Sequence, residues 1–123
     1  MVIINDALKT VHIPQPVYEN IVDILVNFIT HYSDTMIPFL KHSNQKRVKE
    51  LLDIILLRDN VETDLTVSIS ITNNELADIL RLCWDAKNLY HLMGGKRTFG
   101  LTFADFKIVL NDIASVLGRI AEF

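Results

Sequence analysis

Two short stretches concentrate the residue types that bind anions. In HLMGGKRTFGLTF, residues 91 to 103, three of the chain's four glycines, Gly94, Gly95 and Gly100, bracket Lys96 and Arg97. In KHSNQKRVK, residues 41 to 49, Lys41, Lys46, Arg47 and Lys49 gather around Ser43. A glycine-bracketed lysine is what a phosphate loop uses, because bare backbone N–H groups and a cation then meet the anion at a helix start. That loop requires a buried strand, then G-x-x-x-x-G-K-[ST], then a helix. Lys96 follows Gly95 as it should, but Arg97 stands in the hydroxyl position, Tyr90 replaces the first glycine, and the preceding pattern is helical. The stretch therefore reads as a connection in which Gly94 closes one helix while Gly95 and Gly100 supply turn conformations. Lys96 and Arg97 offset the negative carboxyl end of that helix. With Phe99 beside them they form a candidate contact for an anion or an acidic partner.

Lys46 and Arg47 fall in the first turn of another expected helix, where each positive charge opposes the helix dipole by about 0.3–1 kcal/mol. They are a second candidate anion or partner contact. The plainer alternative is that Lys46 pairs with Glu50, and Lys49 with Asp53, on a solvated face.

The catalytic inventory is thin. Cys83 sits beside Trp84 in an apolar helical run, where a lone cysteine packs rather than attacks. His12, His31, His42 and His91 have no metal-ligand spacing and read as surface or boundary residues. Asp78 with Asp85, and Asp105 with Asp112, lie seven apart on helical faces, as carboxylates on a solvent stripe do. No catalytic, metal-binding or cofactor-binding residue is assigned, and no cofactor is expected.

The elements that must hold these residues follow from periodicity. The pieces VII and TVHI near the amino terminus lean towards strand. Pro16 suits a helix first turn, and Val17, Ile21, Ile24, Leu25, Phe28 and Tyr32 recur at helical spacing with only a narrow polar stripe. That helix should be central or a subunit contact, with a break between Ser33 and Ile37 ahead of Pro38. Ser43 would cap a second helix over 44–58, with Val48, Leu51, Leu52, Ile54 and Ile55 inward. RDNVETD reads as a connection. LTVSISIT alternates apolar with small hydroxyl residues, which predicts a strand over 66–71 that pairs with the amino-terminal segment. Thr72 and Glu75 have the capping-box spacing for a third helix over 73–92, and Thr102 with Asp105 starts a fourth that reaches the carboxyl terminus. The expected fold is mainly α, a small bundle of about four helices with a minor β-element, in one domain over residues 1–123.

Bulk properties bound the function. A chain of 123 residues that is 50% hydrophobic suits one autonomous core, with apolar surface left over for self-association. A net charge of -3 disfavours nucleic acid. The connection between the last two helices is also long for a helix-turn-helix. One cysteine, no signal-peptide pattern and no membrane-length apolar run predict a cytoplasmic protein. The expected function is that of a non-enzymatic binding protein that modulates another protein, in the manner of a regulator, a phage-type inhibitor or an immunity protein. The alternatives are a nucleotide or phosphate binder with basic sites near a subunit interface, and an enzyme with an unrecognised site.

Overall fold

The computed structural model describes residues 7–31, 45–58, 61–63 and 65–120. Within them lie five helices and one three-stranded antiparallel sheet. The break ahead of Pro38, the Ser43 cap and the VII piece fall outside the described residues.

Alternation builds the sheet. Strand β1, Lys9–Pro14, pairs antiparallel with β3, Thr66–Ile71, so that Val11 stands opposite Ile69 and Ile13 opposite Val67. These residues and Ile71 are buried, while Thr10, His12, Ser68 and Ser70 point away from the core. The stretch expected to be a plain connection contributes a further strand, β2, Val61–Glu62, on the other side of β3. Two residues are too few to show a period. The pairing is set instead by Thr63, whose N–H (2.9 Å) and hydroxyl (3.1 Å) both donate to the Thr66 carbonyl across the turn.

Helix α1, Gln15–His31, begins as β1 ends, with the Gln15 N–H donating to the Leu65 carbonyl at 3.0 Å. Tyr18, Ile21, Ile24, Leu25 and Phe28 are buried, and the helix meets β1, β3 and every other helix. It is the central helix. Helix α2, Gln45–Leu57, buries Val48, Leu51, Ile54 and Ile55, with Leu52 half-buried at the margin. The Tyr18 hydroxyl donates to the Ile55 carbonyl at 3.2 Å, which locks α1 to α2.

Helix α3, Asn73–Leu89, starts on the capping box expected of Thr72 and Glu75. The Glu75 N–H donates to the Thr72 hydroxyl at 3.1 Å, and the Thr72 N–H donates to the Glu75 carboxylate at 2.9 Å. Arg58, just past α2, donates to the same carboxylate at 2.7 Å. Helix α4, Lys96–Phe99, is a single turn. Helix α5, Phe103–Ile120, starts with the Asp105 N–H donating to the Thr102 hydroxyl at 3.2 Å, and it buries Phe106, Leu110, Ile113, Val116 and Leu117 against α1 and α3. No helix among the described residues is long and apolar enough to cross a membrane.

Glu75 is 9% exposed. Burial by itself would raise its pKa, but the Arg58 hydrogen bond, the Thr72 N–H and the Arg58 charge outweigh burial and hold it below the usual carboxylate value. A depressed carboxylate contributes stability above its unfolded pKa, and that stability is lost as pH falls through the native value. Urea unfolding as a function of pH should therefore show Glu75→Gln less stable than wild type by about 1–2 kcal/mol at pH 7. The two proteins should converge on acidification, and a gap independent of pH would contradict this role.

Candidate docking surface

The stretch from 90 to 102 is organised by aromatic rings. Helix α3 ends three residues short of its expected boundary, because Tyr90 turns inward and takes α3's last ridge into the core. The Tyr90 ring lies 5.6 Å from Phe99, 5.0 Å from Phe103 and 5.2 Å from Phe106, and Phe99 lies 4.4 Å from Phe106. The Tyr90 hydroxyl donates to the Leu101 carbonyl, and the Thr98 hydroxyl to that of Met93. Gly95 (φ 58°, ψ -132°) passes against the Tyr90 ring, which a β-carbon there would approach to 3.3 Å. Phe99, expected to join Lys96 and Arg97 in a contact for an anion or partner, is thus half-buried in this cluster, while Lys96 and Arg97 stand exposed on α4.

The cluster returns α5 antiparallel to α3. His91 meets Phe103 at 5.2 Å at one end of the seam between them, and Leu80 and Ala114 both line it further along. There a groove of about 150 Å³ is walled by Cys83, Trp84 and Lys87 on α3 and by Leu110 and Asn111 on α5. Trp84, the chain's single tryptophan, is 56% exposed here. Elsewhere, Leu92 is exposed past the end of α3, and Ile108 is exposed on the α5 ridge of Asp105 and Asp112. The Lys87 ammonium lies 4.9 Å from the centre of the Trp84 ring, and the Lys107 ammonium lies 4.9 Å from that of Phe103. Among the described residues no carboxylate lines the groove. Cys83 forms its floor, and burial pushes that thiol up to about 12, so it is held as a neutral packing group.

Trp84 is the residue that sequence reasoning placed within a packed run. Leu80, Trp84, Lys87 and His91 share one ridge at helical spacing, beside the core ridge of Ile79, Leu82, Cys83 and Ala86. That offset is legible in the sequence, but which ridge α5 covers is not.

The two basic groups lie at opposite ends of α3. Lys46 is exposed. Arg47 donates to Asp78 at 2.6 and 2.8 Å and to Glu50 at 3.2 Å, while Arg81 donates to the other Asp78 oxygen at 3.0 Å. Arg47 thus ties the start of α2 to the start of α3, about 16 Å of helical rise from where α3 gives way to Lys96 and Arg97. The structure does not bring Lys46 and Arg47 together with the loop. The carboxylates expected on a solvent stripe differ from each other too. Asp105 and Asp112 are exposed, but Asp78 is clasped by two arginines and Asp85 is only 2% exposed.

One pair was not anticipated. On the outer face of the sheet His12 Nδ1 lies 2.7 Å from the Ser68 hydroxyl, a spacing at which an imidazole can take a hydroxyl proton. Such a pair needs a third group to orient the ring, and a cleft. This one sits on an open, exposed face, and no carboxylate bonds its ring among the described residues. Nor do the described residues hold any group of three side chains able to ligate a metal. The arrangement best developed for recognition is the α3–α5 groove. Comparison with known proteins gave no match to a family model, a curated protein or a solved structure.

Two experiments test this construction. A ψ of -132° at positive φ is open to glycine but not to residues with a β-carbon, so Gly95→Ala should destabilise the protein by about 1–3 kcal/mol in urea. Gly100, left-handed at φ 73° and ψ 5° with open space around it, should lose only about 1 kcal/mol as Gly100→Ala. Equal losses would mean that the Gly95 turn does not set the return of α5. Separately, Cys83 should react with iodoacetamide at pH 8 at least about 100-fold faster in urea than in the native protein. Comparable rates would show that the groove floor is open.

Proposed function

We propose that the protein is a non-enzymatic docking module that engages a protein partner through the α3–α5 groove. The observation that carries this reading is the exposure of Trp84 at the mouth of an apolar groove. A tryptophan left in water forgoes one of the largest burial gains available to a side chain, and it is the residue type most enriched where interfaces concentrate their energy. Leu80 and Leu110 supply the apolar walls of the surface a partner can cover. Lys96 and Arg97, exposed just past the His91 end, extend the positive edge of this surface instead of forming a site of their own. Modulation follows from occupancy: a partner segment held in the groove is unavailable to its other ligands.

The reading separates from a structural role by substitution. Trp84→Ala should change stability by no more than about 0.5 kcal/mol, as exposed positions do. It should weaken partner binding by about 2 kcal/mol or more, roughly 30-fold. The check is affinity capture from the native host followed by calorimetry on the recovered protein. Lys46→Ala, at the far end of α3, serves as the control that retains binding. A partner held equally by wild type and Trp84→Ala would place the docking surface elsewhere.

A further inference from the structure

The sheet has one long open edge. In the order β1-β3-β2, β1 bounds one side along its six residues, whereas β2 covers the other side of β3 with only two. Hydrogen bonds on the two sides of β3 show which main-chain groups of β1 face outward. The Gln15 N–H donates to the Leu65 carbonyl at 3.0 Å, and this pair continues the register that sets Pro14 opposite Thr66 and Ile13 opposite Val67. Bonded and non-bonded pairs alternate along an antiparallel ladder, so Ile13, Val11 and Lys9 also turn their N–H and C=O groups to β3. The alternation holds on β3 itself, because the neighbouring Thr66 carbonyl is taken from the β2 side by the Thr63 N–H. Thr10, His12 and Pro14 therefore turn their main-chain groups away from the sheet, and among the described residues nothing bonds those of Thr10 or His12 there. Pro14, with no N–H, stands where a sheet tolerates proline. Between Lys9 and Pro14 the edge is TVHI, without the lysine, acid, proline or bulge that keeps an edge strand from pairing.

We infer that β1 pairs antiparallel with β1 of a second copy, across a two-fold axis at Val11, to give one continuous sheet. The inference is independent of the α3–α5 groove. The edge is complementary to itself in this register. Thr10 stands opposite His12 of the second copy and His12 opposite its Thr10, so the outward N–H and C=O groups of both residues are used in each chain, in four hydrogen bonds. A shift of two residues one way pairs Thr10 with Thr10 and leaves His12 beyond the strand. The same shift the other way sets Thr10 opposite Pro14, whose missing N–H interrupts the ladder. Charge is matched as well. Lys9 falls opposite Ile13 of the second copy, and the two Lys9 residues are about 14 Å apart along the strands, beyond the screening length in physiological salt. Leu8, exposed just before β1, comes beside exposed Pro14 of the second copy, so each covers apolar surface that one chain alone leaves in water.

The test follows the full chain by light scattering and by amide hydrogen exchange. As concentration is raised about 100-fold through the micromolar range, the mass should climb from one chain towards two. Over the same range the Thr10 and His12 N–H groups should slow in exchange by at least about tenfold, while those of Val11 and Ile13, already bonded to β3, stay as they were. Thr10→Pro deletes an outward N–H and leaves the bonds to β3 in place, so it should keep the urea midpoint and abolish both changes. Should Thr10→Pro fail to fold, the exchange of the two amides in the wild-type chain decides alone. Trp84→Ala, which leaves β1 untouched, should dimerise as wild type does, so that loss of partner capture and loss of the dimer are read separately. A chain that stays monomeric throughout overturns the inference. So does slow exchange of Thr10 and His12 that is independent of concentration, which would mean an edge covered within the chain. A dimer that leaves the two amides fast, or that Trp84→Ala dissolves, places the contact elsewhere and overturns it too.

Discussion

The arrangement depends on one constraint: α1 is apolar around most of its circumference and has to be covered on nearly every side. A helix with a single apolar stripe can lie on a surface, whereas buried Tyr18, Ile21, Ile24, Leu25 and Phe28 with half-buried Val17, Val22 and Ile29 leave only a narrow exposed margin. The sheet covers one side through Val11, Ile13, Val67 and Ile69, α2 another, and α3 with α5 the remainder. Each neighbour therefore turns its own best apolar face inward to α1, and its outward features are what that obligation leaves over. In β3 the remainder is a row of hydroxyls. In α3 and α5 it is the seam that carries Trp84.

The junction at residues 72–75 shows how local chemistry is conscripted into this plan. Thr72 is the first residue after β3, and it caps α3 while its own N–H is taken by Glu75. A strand thus becomes a helix without an intervening loop, so the register of β3 is passed on to the direction of α3. Arg58 then pins the end of α2 to the same carboxylate, which couples three elements through one charge. Because the acid is largely buried, removing the arginine would leave a desolvated charge, a larger loss than the absence of an exposed ion pair.

What could be read in the sequence is what local spacing determines. The alternation over 66–71, the Thr72–Glu75 box, the start of α1 at Pro16 and the helical period of α5 each lie within one element, and each is found close to its expected position. The features that escaped depend on contacts distant in the chain or on elements shorter than a period. Arg47 reaches Asp78 across 31 residues, so a cation that reads as an anion contact is in fact clasped by a neighbouring helix. Phe99 reads as a loop residue, yet it is stacked on Tyr90 because α4 folds back over the end of α3. The two-residue β2 and the four-residue α4 offer no pattern to detect. For the groove, the sequence contained the ridge of Leu80, Trp84, Lys87 and His91, but not the decision to leave it open.

That decision follows from the first constraint. Helix α5 must reach α1 with Phe106, Leu110, Ile113 and Leu117 while still lying beside α3, and the aromatic cluster around Tyr90 fixes the angle at which it returns. An α-helix presents its apolar rows about 100° apart per residue, so satisfying α1 and the Tyr90 cluster exhausts the inward-facing rows of α5. Besides Leu110, the α5 residues that line the groove are Asn111 and Ala114, an amide and a methyl, neither of them able to roof over Trp84. Had a leucine stood at 111 or 114, the seam would close as ordinary core. The groove is therefore open because, beside Leu110, the α5 positions that line it hold only an amide and a methyl, and Lys87 is the cation on its wall.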